Sequence, residues 1–192
     1  MNIQKKILLL NNGTHFIDDL VNVLSEHQIK LIDFQKIQLE NVQDFDCVIL
    51  SGGGTVGEVS ENELLYENEI KIVREANKPI FGICEGFQVI GAAYHSEFHI
   101  LKSYRTGVNK IHILIDDPIF QGLKKIELRV FEYHHIAITR QSDELVSLAV
   151  SEDGIEVMKH KNKLIYGVQF HPEELKDGND GHTILKNFLS MI

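Results

Sequence analysis

The segment Gly82-Ile83-Cys84-Glu85-Gly86-Phe87-Gln88 constrains this chain more than any other. Ahead of it, Lys78-Pro79-Ile80-Phe81 is short and apolar enough for a buried strand. After it, Phe87-Gln88-Val89-Ile90-Gly91-Ala92-Ala93 suits the first turns of a packed helix. A strand that gives way to a helix so quickly requires a sharp turn, and the flanking glycines let the backbone bend and its neighbours approach. Cys84 stands at that turn, where free N–H groups and the positive end of the helix dipole favour thiolate over thiol. Two readings of this short pattern stand side by side: a nucleophile on an elbow, or a small buried cysteine between loop glycines.

The rest of the first half alternates in the same way. Periodicity predicts strands over 6–11, 29–34, 47–50 and 79–83, and helices over 16–26 and 61–76. Such alternation implies an α/β fold whose sheet is mostly parallel and doubly wound, with helices on both faces. From Lys110 onward the segments read as shorter strands, over 111–115, 126–131 and 145–150, separated by Asp116-Asp117-Pro118 and Ser151-Glu152-Asp153-Gly154. These predict a small antiparallel extension, followed by a last helix over 181–191. In a fold of this kind the active site lies beyond the carboxyl ends of the strands.

Two further motifs also follow strands. Residues 164–170 read as a strand that delivers His171 at its end, where Pro172 stops further pairing. Glu173 lies two residues on, so its carboxylate can reach one imidazole nitrogen while the other faces a thiol. That is a nucleophile–base–orienter arrangement, recognised by roles rather than by position. The other motif, Val48-Ile49-Leu50-Ser51-Gly52-Gly53-Gly54-Thr55, empties a buried strand into three glycines. Their N–H groups could turn towards an anion and complete an oxyanion hole, or the loop could be a simple turn. A phosphate loop is the weaker reading, since neither G-x-x-x-x-G-K-[ST] nor a helix-opening G-x-G-x-x-G is present.

Composition narrows the classes. At 192 residues, with 43% hydrophobic and 24% charged residues, the chain is expected to be one globular domain over 1–192. A net charge of −9 disfavours a nucleic-acid partner. Ile7-Leu8-Leu9-Leu10 is too short for a signal peptide or a membrane span. Two cysteines are too few for a disulfide framework, and Cys47 falls within an apolar strand, so a cytoplasmic location is expected. His95 and His99 are four apart but do not form H-E-x-x-H, and no metal site is expected.

Taken in order along the whole chain, the glycine loop, the cysteine elbow and His171-Pro172-Glu173 resemble the class I glutamine amidotransferases. The resemblance implies a flavodoxin-like fold and release of ammonia from L-glutamine without metal or organic cofactor. It implies Cys84 as nucleophile, His171 as general base and acid, and Glu173 as orienting carboxylate. Gly52, Gly53 and Gly54, with the N–H of Glu85, would hold the oxyanion and part of the substrate. Gln88, and the backbone around His135 and Ile136 in Tyr133-His134-His135-Ile136, would complete the substrate site.

The chain has no ATP loop of its own, so the resemblance implies that the ammonia is consumed by a separate ATP-dependent synthetase subunit. Asp116 to Leu123, Val157 to Glu173 and Ile184 to Phe188 are similar to free-standing glutaminase subunits of GMP synthase. The subunits of anthranilate or aminodeoxychorismate synthase share the size and triad. A free-standing γ-glutamyl hydrolase, or a non-catalytic protein on this fold, would carry the same outline. The chain departs from the GMP synthase pattern where His134-His135-Ile136-Ala137-Ile138 replaces His-x-Asp-Glu-Val, and at Glu85 and Phe87. A carboxylate beside Cys84 would raise the thiol pKa if it faced inward, so Glu85 is expected to face outward.

Overall fold

Alternate residues of the first strand enter opposite cores, as a period of two requires. In β1 (Lys6–Asn12), Ile7 and Leu9 face one layer of helices while Leu8 and Leu10 face the other. The computed structural model describes residues 4–53, 59, 63–176 and 178–192. Within these, β2 (Gln28–Asp33), β3 (Cys47–Gly53), β4 (Ile80–Ile83) and β9 (Ile165–Val168) join β1 in parallel, in the order β2-β1-β3-β4-β9. Helices α1 (Ile17–Val23) and α4 (Gly181–Ser190) cover one face through Leu20, Ile184, Leu185 and Phe188. Helices α2 (Glu67–Glu75) and α3 (Glu85–Ala93) cover the other through Ile72, Val73, Val89 and Ile90. Burial on both faces makes the inner strands continuous apolar runs.

The second half is larger than the sequence suggests. β5 (Glu97–Ile113) has 17 residues and β6 (Glu127–Arg140) has 14, and they pair antiparallel along most of their length. With β7 (Leu145–Val150) and β8 (Ile155–His160) they extend the sheet as β9-β8-β6-β5-β7, and β7 also pairs with β8. The strands β8, β6, β5 and β7 therefore close on themselves in a barrel-like ring.

The expectation of a mostly parallel sheet with a small extension is thus corrected: the fold is mixed α/β, with four parallel and five antiparallel strand pairings among the described residues. The physical reason lies in β5, of which only Ile111 is fully buried. A strand with so little apolar demand, interrupted by a register shift between Ile100 and Arg105, leaves almost no periodic signal.

Candidate active site

Four chain segments meet beyond the carboxyl ends of β1, β3, β4 and β9. Cys84 links β4 to α3 with φ 50° and ψ −100°, a conformation that costs a non-glycine residue about 1–3 kcal/mol. The surroundings enforce it. The Cys84 N–H donates to the Val168 carbonyl at 2.8 Å, and the Cys84 carbonyl accepts from the Gln88 N–H at 3.1 Å. A Cβ on Gly82 would lie 2.5 Å from the Gly86 carbonyl oxygen, and one on Gly86 would lie 2.4 Å from that of Leu50. Both elbow glycines are therefore required by close backbone approach. Cys47 contrasts with this: fully buried in β3, its thiol is pushed up to about 12 by burial and then by Asp46, and it behaves as core.

His171 follows β9 and is almost wholly buried. Its N–H donates to the Phe131 carbonyl at 2.8 Å, and the Asn179 amide donates to its carbonyl at 3.0 Å, which fixes the turn. Its Nδ1 lies 2.9 Å from Glu173 Oε1, as the two-residue spacing predicts. The Phe16 ring covers the imidazole at 4.7 Å between centroids. Burial disfavours the charged ring, but the Glu173 carboxylate and the negative charge available to Cys84 outweigh it and raise the pKa to about 10. Nε2 is buried without a hydrogen bond of full geometry, yet it is near enough to Cys84 for this interaction. A Cβ on Gly52 would stand 2.9 Å from His171 Cε1 and 3.6 Å from Cys84 Cβ. Loop, ring and thiol thus share one small space.

The other expected residues distribute unevenly. Gly53 lies at the end of β3 beside the elbow, and Gly54 lies outside the described residues. Gln88 is buried in α3, where its Nε2 donates to Gln169 Oε1 at 3.4 Å. Gln169 in turn donates to Cys84 Sγ at 3.6 Å, and the thiol also lies 3.8 Å from the Tyr133 carbonyl. The backbone of the Tyr133–Ile136 segment therefore does reach the thiol, through Tyr133. The His135 ring packs against Tyr104 at 4.4 Å between centroids, and the Ile136 carbonyl is taken by His134 Nδ1 at 2.9 Å.

Glu85 does not face outward. Its carboxylate folds back over the glycine loop, so close that a Cβ on Gly53 would overlap it, and the Tyr66 hydroxyl donates to its Oε1. Burial, partly offset by Tyr66, raises its pKa to about 7. Behind it Glu69, fully buried on α2, is raised to about 8 by burial and by the Glu85 charge. The helix directs Glu85 inward because its first turn sits on the loop and Tyr66 offers a donor there. Sequence reading missed Tyr66, Glu69, Phe16 and Gln169. Only Gln169 carried a signal, since it lies two residues before His171 in the segment that reads as a strand over 164–170.

Known proteins carry the same outline. Residues 8–192 match the family described as Glutamine amidotransferase class-I. A glutamine-hydrolyzing GMP synthase subunit from Pyrococcus abyssi is 37% identical over 190 residues, covering 96% of this chain and 97% of the relative. The corresponding subunit from Methanococcus vannielii is 32% identical over 187 residues, covering 95% and 94%. Among solved structures, a protein from Thermoplasma acidophilum assigned as a GMP synthase subunit superposes with a TM-score of 0.86 at 27% identity, covering 100% of this chain and 95% of that one. No helix among the described residues is long and apolar enough to cross a membrane.

Proposed function

The chain belongs to the class-I glutamine amidotransferases, and we propose that within the family it is a cytoplasmic glutaminase subunit, folded as one domain over 1–192, that supplies ammonia to a separate ATP-dependent synthetase. GMP synthase is the assignment favoured by the relatives, which carry that name across nearly the whole chain. The observation that carries the activity is the strained Cys84 turn placed beside the buried His171–Glu173 pair.

In this proposal the Cys84 thiolate attacks the side-chain carboxamide carbon of L-glutamine. The developing oxyanion is held by the Glu85 N–H at the start of α3 and by the glycine loop around Gly52 and Gly53. His171 gives its proton to the nitrogen as the C–N bond breaks, which releases ammonia and leaves a glutamyl thioester. A water then loses its proton to His171 as it attacks, and the C–S bond breaks to give glutamate and the thiolate. Glu173 holds the imidazole in one orientation through Nδ1. Gln88, His135 and Ile136 line the substrate site. Neither a metal nor an organic cofactor enters these steps.

A second reading, a γ-glutamyl hydrolase working alone, is favoured by Glu85 and by Ile136-Ala137 in place of the acids of the GMP synthase pattern. Glutamine hydrolysis measured with and without the synthetase subunit, XMP and ATP decides between them. Low basal activity with stimulation of about a hundredfold, the scale of one oxyanion contact, is expected. Strong constitutive hydrolysis without stimulation would replace the first reading by the second.

A further inference from the structure

Behind the thiol, on the barrel side, lies a second polar cluster that the chemistry above does not use. Glu132, His134 and Glu156 are 1%, 3% and 1% exposed, and one ligand atom from each falls within 4.8 Å of the others. Both Glu132 oxygens, His134 Nε2 and Glu156 Oε2 are buried without a hydrogen bond. Buried polar atoms are rarely left so, because each unpaired group costs of the order of 1–3 kcal/mol. One donor atom from each of the three side chains converges on the others, and unpaired atoms on all three call for a common partner.

We propose that Glu132, His134 and Glu156 form a binding site for one divalent transition cation of the Zn2+ class. His134 Nδ1 lies 2.9 Å from the Ile136 carbonyl. A carbonyl only accepts, so the proton sits on Nδ1, and in the neutral ring Nε2 presents its lone pair to the cluster. A ligating histidine is oriented in just this way by its other nitrogen. Glu156 Oε1 accepts from Ser151 Oγ at 2.8 Å, which turns Oε2 inward.

Neighbouring groups fill the role only in part. Arg105 Nε approaches Glu132 Oε2 only to 3.8 Å, and its guanidinium is held by Asp153 at 2.5 Å and by Glu152. The Asn109 amide is near enough to Glu132 to interact with it, but its nitrogen donates to the Thr106 and Gly107 carbonyls at 3.2 Å. Two carboxylates balance a 2+ ion, and a set of two oxygens and one imidazole suits a borderline metal better than Ca2+ or Mg2+. In a tetrahedral site the donors stand about 3.4 Å apart, so the three need to close by about an ångström. A cleft of about 450 Å³, lined by Arg105, Asn109, Lys110, Arg129, Ser151 and Glu152, reaches Glu132.

Such an ion would fix the wall of the active site. Glu132 and its neighbours present the Phe131 carbonyl to the His171 N–H and the Tyr133 carbonyl to Cys84 Sγ, and the Glu156 carbonyl accepts from the Gln169 N–H at 2.9 Å. The test is Zn2+ binding by equilibrium dialysis, in Cys84→Ala protein so that the reactive thiol does not compete. One retained equivalent is expected, with affinity falling at least tenfold when Glu156→Gln or His134→Gln is added. Co2+ bound to the same Cys84→Ala chain should show the intense visible bands of a four- or five-coordinate site, displaced by Zn2+, and this readout stands even where a ligand variant does not fold. Absence of the equivalent, binding indifferent to the two substitutions, or a spectrum of hydrated Co2+ would overturn the proposal and leave a pair of protonated carboxyl groups.

Discussion

The two halves of the sheet bury different things. In the parallel half, β1, β3 and β4 are apolar through their middles on both faces, and their polar residues stand at the strand ends, Lys6 at the start of β1 and Asn11, Asn12 and Ser51 towards the carboxyl ends. In the antiparallel half, β6 and β8 carry Glu132, His134 and Glu156 into the interior, while β5 is largely exposed. Helices on both faces leave a parallel strand no place for a charge except its end. A barrel of antiparallel strands has an inside that can enclose polar atoms. The groups proposed to react are therefore mounted on the parallel half, and the antiparallel half forms the wall against them. β9, parallel to β4 and antiparallel to β8, is the seam from which His171 is delivered.

The most severe challenge to this division compares two cysteines on the parallel half. Cys84→Ala is expected to lower glutamine hydrolysis by more than about a thousandfold with the fold intact, since removing a nucleophile leaves only binding and oxyanion stabilisation. Cys47→Ala should retain near-normal activity, because its thiol is fully buried and held protonated. A glutamine-like diazo-ketone should label Cys84 alone. Labelling of Cys47 would break the assignment of chemistry to strand ends.

At the seam the expected effects are graded. His171→Ala removes the proposed proton carrier of both half-reactions and should cost nearly as much as loss of Cys84. Glu173→Gln should be on the order of a hundredfold less damaging, as with orienting carboxylates generally. Measured kcat values for the two variants check this. Near-wild-type kcat in His171→Ala would remove the triad.

What the sequence displayed follows the same division. The parallel strands and their helices were legible because burial on two faces writes apolar runs and helical periods directly. The cluster of Cys84, His171 and Glu173 was legible because Cys84 and His171 follow strands and Glu173 sits within reach of His171. Helix boundaries were less so: the expected helix over 61–76 begins as a 3₁₀ turn, Glu63–Tyr66, before α2, and residues 60–62 lie outside the described residues. Of the long β5–β6 pairing only one end was legible, in the strands expected over 111–115 and 126–131, and the inward carboxylates were not legible at all. Glu85 faces inward because Tyr66, 19 residues earlier, donates to it, and no local pattern encodes so distant a partner.

Glu85 gives a sharper test of how far the parallel half tolerates charge. Its carboxyl ionises at about 7, against the loop that would stabilise an oxyanion. Above that pH a negative charge there opposes the developing negative charge of the reaction. Glu85→Gln is therefore expected to raise kcat/KM up to about tenfold at about pH 8.5 and to change it little at about pH 6, consistent with a partly screened interaction at close range. Parallel pH profiles for the two proteins would show that the carboxylate does not influence the oxyanion.

The smallest expected effect concerns stability and comes from Glu69. Its carboxyl is fully buried, with a folded-state pKa of about 8 against an ordinary value of 4.5. The folded chain thus holds a proton that the unfolded chain has released between these values. The sign follows from linkage: stability is fully present below about pH 4.5 and is lost progressively as pH rises through about 8. Glu69→Gln keeps the shape and removes the titration, so its advantage over the parent should be absent at about pH 4.5 and grow towards about pH 8.5. For a chain of this length each kcal/mol recovered corresponds to roughly 2–4 °C in Tm. Thermal melts of both proteins across this range measure it. An unchanged difference at every pH would mean that Glu69 is neutralised in the folded state by a partner other than a proton, and the two halves would then differ less than their buried carboxylates suggest.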